Sequence, residues 1–253
     1  IFVQHYLYAI APPARWDVVV FKYPGRMREN YIKRLVGLPG EQIMIVDGDI
    51  FTRPLTDDAE PESDWSIQRK PDFVQGGLWS TLFSSEQTPL DETFDGRIWQ
   101  DRWLALGQIE RENGRYRVIG DRSASLAWSW SADAIDDFVS YNDTPRASGV
   151  RRFPVADLRL RASVTPEQEG VRVVAAIDAR RHRFEAVIEN DRAVVRMAPL
   201  ETDGGDLPPT ELAATTITPM PVGQATRLAF IHSDQRLQLW INEEKILEAD
   251  YDW

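Results

Sequence analysis

The sequence predicts an all-β protein, and two observations carry that prediction. Near the start, β-branched runs of about six residues are cut off by Gly/Pro pairs. From residue 157 onward, apolar and polar residues alternate with a period of two between turns of two to four residues. That period places one face of a strand against a core and the other in water, and no stretch between these strands has helical spacing.

Asp17-Val18-Val19-Val20-Phe21-Lys22 is the first extended run and stops at Pro24-Gly25. Tyr31-Ile32-Lys33-Arg34-Leu35-Val36 is the second and ends in Gly37-Leu38-Pro39-Gly40. Glu41-Gln42-Ile43-Met44-Ile45-Val46 is the third, and Asp47-Gly48 supplies a hairpin turn into Ile50-Phe51. Thr56 to Asp64 is acidic and poor in structure-forming residues, and reads as a linker. It divides the chain into residues 1–55, with seven basic against five acidic groups, and residues 56–253, with 22 against 35. Residues 65–145 are the least regular and hold six of the nine tryptophans. Trp99 and Trp103 could form a sugar-stacking platform, but large aromatics between short strands more commonly fill a core.

Beyond residue 157, Leu158 and Leu160 alternate with Arg159 and Arg161. Phe184, Ala186 and Ile188 lead into a turn at Asn190-Asp191, and Ala193, Val195 and Met197 return. Leu228 and Phe230 run to Ser233-Asp234, Leu237, Leu239 and Ile241 come back, and Asn242-Glu243-Glu244 turns again before Ile246. Such a meander has one apolar face, and a β-sandwich is its simplest closure.

Composition narrows the function. With 29 basic and 40 acidic residues the net charge is −11, which excludes a general nucleic-acid binder and a basic membrane-docking patch. The absence of cysteine excludes disulfides, thiolate catalysis and cysteine metal sites. His5, His182 and His232 have no partners at metal-ligand spacing, with His182 expected at a solvated tip. Asp133, Asp136 and Asp137 fit no calcium loop and read as solvated surface. No metal and no cofactor is therefore expected. No apolar stretch reaches the length of a membrane span.

Lys33 is different. Strand alternation points it opposite to Ile32 and Arg34, inside an apolar run. Half-desolvated there, its amine would lose its proton more readily and could serve as a general base. On strand arithmetic alone, a lysine on the wet face of an edge strand explains the pattern as well.

The wording of this stretch adds to that reading. Trp16-Asp17-Val18-Val19-Val20-Phe21-Lys22-Tyr23-Pro24, followed by Tyr31-Ile32-Lys33-Arg34-Leu35-Val36-Gly37-Leu38-Pro39-Gly40-Glu41, resembles two sequence boxes of type I signal peptidase. Trp16 replaces that family's usual Gly, and Glu41 its Asp. The resemblance covers roughly residues 1–52 and implies a serine endopeptidase with a Ser–Lys dyad. Such enzymes remove signal peptides from exported preproteins at the outer face of the cytoplasmic membrane. Lys33 matches the general base and Arg34 a supporting basic position. Ile1, Val20, Tyr31 and Ile32 match the walls of the shallow pockets that accept small side chains before the cut.

The family's nucleophilic serine and membrane anchor match nothing in this chain. The expectation is a fragment of a membrane-bound enzyme, tethered by a segment not in this chain. Gly120-Asp121-Arg122 echoes the family's last box and is set aside as coincidence. Residues 56–253 then form an inserted antiparallel sandwich, weakly similar to concanavalin or laminin-G domains, after a partial catalytic core at 1–55. The alternative is a non-catalytic sandwich that grips glycan or polypeptide on a degenerate peptidase scaffold.

Overall fold

The protein is described here from a computed structural model, over residues 6–55, 65–89, 93–94, 96–99, 101–120, 122–129, 135–136, 141, 154–200 and 208–252. Among these residues strands dominate. The first segment holds α1 (Leu7–Ile10), β1 (Val18–Lys22), β2 (Asn30–Arg34), β3 (Glu41–Val46), β4 (Asp49–Pro54), β5 (Ser66–Ile67) and α2 (Asp72–Leu78). The middle holds β6 (Thr93–Phe94), β7 (Arg97–Ile98), β8 (Trp103–Leu106), β9 (Ile109–Glu112), β10 (Arg115–Val118) and β11 (Ser125–Trp128). The last holds β12 (Leu158–Val164), β13 (Val173–Ala179), β14 (His182–Glu189), β15 (Arg192–Pro199), β16 (Thr210–Thr216), β17 (Thr226–Ser233), β18 (Arg236–Ile241) and β19 (Glu244–Asp250).

The chain forms two compact units, one made of residues 1–74 with 156–253 and the other of residues 75–155. Every strand pairing between these named elements is antiparallel.

In the first unit, β13-β14-β15-β16 form one four-stranded sheet and β12-β17-β18-β19 another. Their inner faces share one core, with Phe184, Ala186, Ile188, Ala193 and Val195 from the first sheet and Leu228, Phe230, Leu237, Leu239 and Leu247 from the second. The alternation seen in the sequence is the cause: each inward residue is followed by an outward one, so a one-residue slip would turn the core to water. β13 and β16 are strands that the sequence pattern did not single out. Val173-Val174-Ala175-Ala176 is continuously apolar, and Leu212-Ala213-Ala214 is too short to show a period.

Among the described residues, three hairpin turns of the two four-stranded sheets carry positive φ at both central residues: Arg180 and Arg181 (50° and 59°), Asp234 and Gln235 (49° and 56°), Asn242 and Glu243 (50° and 72°). This is the tight two-residue turn that suits the strand twist, here built largely without glycine. Parts of the first two turns are buried, although Arg181 is exposed. The Arg180 side chain is only 2% exposed in an ion pair with Asp49 at 2.6 Å, and Asp234 and Gln235 are buried.

Asp47-Gly48 turns β3 into β4 as expected, with φ of 48° and 88°. The three early runs do not make one sheet, however. β1 pairs with β2 alone, while β3 pairs with β4 and β5. The short helix α2 was also not foreseen. Pro71 precedes it, Asp72 places a negative charge in its first turn, and Val74 buries against Trp16 and Ile50.

In the second unit, the two-stranded sheets β6-β7, β9-β10 and β8-β11 are short. Trp99 is buried, and Trp103 meets Trp128 edge-on at 5.4 Å between ring centroids. These tryptophans pack rather than present a flat platform. Trp130 lies outside the described residues, as do Asp133 and Asp137. Asp136 is buried, not solvated, and bridges to Pro154.

Candidate active site around Lys33

Antiparallel register sets Lys33 opposite Val19, Ile32 opposite Val20, Tyr31 opposite Phe21 and Arg34 opposite Val18. Lys33, Val19, Tyr31 and Phe21 therefore share one face of the β1–β2 ribbon, and Ile32, Val20 and Arg34 the other. Tyr31 is held on its face by Phe21, edge-on at 6.3 Å, and by Tyr23, stacked at 4.8 Å. Ile1 lies outside the described residues.

Lys33 and Val20 line the same cavity of about 640 Å³ with Val19, Leu35 and Ile43, whereas Tyr31 and Ile32 do not line it. Lys33 is exposed, so the half-desolvated amine expected from the sequence is not found. The reason is architectural: β1 and β2 form a two-stranded ribbon, and no third strand or packed layer among the described residues covers the Lys33 face. The Lys33 side chain makes no hydrogen bond or ion pair among the described residues.

The segment after Lys33 is tied down more firmly than the lysine itself. The Arg34 guanidinium donates to the Trp16 carbonyl at 2.7 Å. Trp16 N–H donates to Leu35 O at 2.7 Å, and Leu35 N–H donates to Asp17 O at 2.8 Å, which extends the ribbon's pairing past its last named residue. Arg34 thus acts on backbone geometry.

Trp16 itself has φ of 76° and is 8% exposed. A left-handed backbone suits glycine and costs a bulky residue about 1–2 kcal/mol. The indole offsets this by packing with Ile50, Val74 and Val36.

Sequence reasoning missed the partnership of Arg15 and Glu41. Arg15 donates to Val36 O at 2.6 Å with one nitrogen and pairs with Glu41 through the other. The second Glu41 oxygen accepts the Leu38 N–H at 3.1 Å. The hydrogen bond from Arg15 holds the Glu41 carboxyl below the usual carboxylate range. The departure at Glu41 was visible in the sequence, but its partner 26 residues earlier was not.

A second charged cluster lies at the other end of β4. Asp49, Asp157 and Asp234 bring carboxylate oxygens within 4.8 Å of one another. Lys70 pairs with Asp157 at 3.0 Å and with Asp234, to which its own N–H also donates at 2.7 Å. Burial pushes the Lys70 ammonium down, and the two aspartates more than restore it, so its pKa is raised. With Arg180 on Asp49, each carboxylate has a cationic partner, and the cluster works as a clasp between residues 49–70 and the sandwich. Beneath it, His232 is buried between Ala156 O at 2.6 Å and the Tyr251 hydroxyl at 2.5 Å. Burial lowers the His232 pKa to about 4, and its place in the core marks it as structural.

Residues 1–122 match the family described as signal peptidase, peptidase S26. The match runs well past residue 52 and takes in β10. The chain is 51% identical over 115 residues to a signal peptidase I of Rickettsia typhi, covering 43% of this chain and 41% of that protein. Over 116 residues it is 51% identical to the signal peptidase I of Rickettsia akari, with the same coverage. The chain therefore spans about two fifths of the length of these curated relatives. A solved carbohydrate-binding module of Bacillus subtilis aligns with 39% of this chain and 61% of its own, at 13% identity and a TM-score of 0.29. Among the described residues no helix is long and apolar enough to cross a membrane. Over its N-terminal part, the chain is similar to the peptidase S26 signal peptidase family.

Proposed function

We propose that this chain is part of a membrane-associated serine endopeptidase that removes signal peptides from exported preproteins, with Lys33 as its general base. The observation that carries the reading is the position of Lys33. It stands on β2 beside an apolar cavity, opposite Val19, in a stretch that matches the signal peptidase family.

In this reading a serine hydroxyl, supplied by the whole protein outside residues 1–253, attacks the scissile carbonyl. Lys33 Nζ takes the hydroxyl proton and returns it to the leaving amine. The substrate lies extended along the ribbon and pairs with it through main-chain hydrogen bonds. Val20, Tyr31, Ile32 and Ile1 contact the small residues before the cut, and Arg34 fixes the strand that carries Lys33. Because Lys33 is exposed in the described residues, the bound preprotein and the remainder of the enzyme supply the desolvation that frees its amine. The reaction belongs at the outer face of the cell membrane, with the anchor elsewhere in the whole protein.

The test is Lys33→Ala in the full-length protein, assayed on a synthetic signal-peptide substrate. The expected loss in kcat/KM is at least about a thousandfold, because a nucleophile and its base act as a unit. Cleavage at the wild-type rate removes Lys33 from the mechanism.

A further inference from the structure

The cavity beside Lys33 is walled on one side by Leu35, Val36, Gly37 and Leu38. These residues form no named strand, so ladder hydrogen bonds do not fix the whole wall. One ion pair grips it at two points. Arg15 holds the Val36 carbonyl at 2.6 Å, and Glu41 holds the Leu38 N–H at 3.1 Å. The remaining nitrogen of Arg15 and the remaining oxygen of Glu41 hold each other. Both side chains are mostly buried, with 12% and 19% of the side chain exposed. Gly37, between the two grips, lies so close to Ile43 that a Cβ there would fall 1.9 Å from the Ile43 δ-carbon. The wall is therefore set against β3 as well.

We propose that Arg15 and Glu41 are a positioning pair, which fixes residues 35–38 and through them the placement of Lys33 against the substrate. The proposal rests on the reading of Lys33 as the base. Neither side chain touches the reacting atoms. The pair acts because its grips on Val36 and Leu38 lie three and five residues after Lys33, just beyond the Leu35 hydrogen bonds that end the ribbon's pairing. Arginine is required at this place: its planar fork reaches a carbonyl and a carboxylate at once, which a lysine ammonium on a flexible stem does not do with the same geometry.

The experiment compares Glu41→Gln, Arg15→Gln, the double variant and Glu41→Asp in the full-length enzyme, on the same synthetic signal-peptide substrate. Each is assayed well below its unfolding midpoint. Glu41→Gln and Arg15→Gln are each expected to lower kcat by about 10- to 100-fold, with KM changed far less, since small misplacements of a catalytic group cost that much. The double variant is expected to lose no more than the worse single one, because either change opens the same clasp. Glu41→Asp, which keeps the carboxylate, recovers part of the loss. Should Glu41→Gln be unfolded at the assay temperature, Arg15→Lys decides in its place, with the same fall in kcat expected.

Unchanged kcat in the single variants, or losses that multiply in the double, overturns the proposal. Lys33→Ala in the same assay separates the two levels. If it cleaves normally, the base assignment fails. If it is silent while Glu41→Gln keeps its kcat, only the positioning role fails.

Discussion

The β1–β2 ribbon and the β12–β19 sandwich are built from equally apolar strands, yet they end in opposite states. Phe184, Phe230, Leu237 and Leu239 are at most 1% exposed. Val18, Ile32 and Val20 are 56%, 48% and 36% exposed. The difference is not in β propensity but in closure. The sandwich has a second sheet to receive each inward side chain, whereas the described part of the ribbon is two strands wide. A two-stranded ribbon is marginal alone and needs further strands or a packed layer. Here its geometry depends on polar ties at its end: Arg34 on Trp16, Arg15 on Val36, and Glu41 on Leu38. Closure of the sandwich buries its inward side chains, and the open ribbon leaves its strand faces exposed.

The contrast can be tested by substitution, beginning with the largest effect on stability. Phe230→Ala should destabilise the protein by about 3–5 kcal/mol, measured by urea denaturation, because it removes an aromatic from a core with no room to collapse. A loss below 1 kcal/mol would place Phe230 outside a cooperative core. Lys70→Met should cost about 3 kcal/mol, since it leaves Asp157 and Asp234 close together without their ammonium. An unchanged midpoint would mean that the clasp is not formed in solution.

His232 makes the sandwich acid-sensitive, and the sign follows from its lowered pKa. Above pH 6.5 the ring is neutral whether the chain is folded or not. As pH falls from there to about 4, the unfolded chain binds a proton that the folded core refuses. Unfolding is favoured by a total of about 3 kcal/mol across that window. Denaturation curves at pH 7 and pH 4.5 should show this loss in wild type and a smaller one in His232→Gln. Equal slopes would remove His232 as the cause. The smallest effect belongs to the ribbon: Ile32→Ser should shift stability by less than about 0.5 kcal/mol, since the side chain is already in water. A cost above 1 kcal/mol would show that the full-length protein buries this face.

Much of this was legible in the residues themselves. Alternation at 184–188, 193–197, 228–231 and 237–241 gave strands on the right faces, because period and burial are the same physical fact in a half-buried sheet. Asp47-Gly48 gave its hairpin because few pairs accept two positive φ angles. The boxes around Lys33 carried the resemblance to signal peptidases that the family match over residues 1–122 repeats. What escaped were the interactions between residues far apart in the chain. Arg180 looks like a solvated tip until Asp49 is seen beside it, and Asp136 looks like surface until its bridge to Pro154 appears.

By itself, then, the sequence determined the strands whose residues alternate, which face of each is apolar, and which short stretch carries the candidate chemistry. These depend on neighbours one to four positions away. Only the tertiary structure decided that three early strands divide between two sheets, that Lys33 lies open beside a cavity, and that the wall after it is held by Arg15 and Glu41. Those facts depend on which distant groups arrive at one point in space, and burial and charge pairing are settled only there.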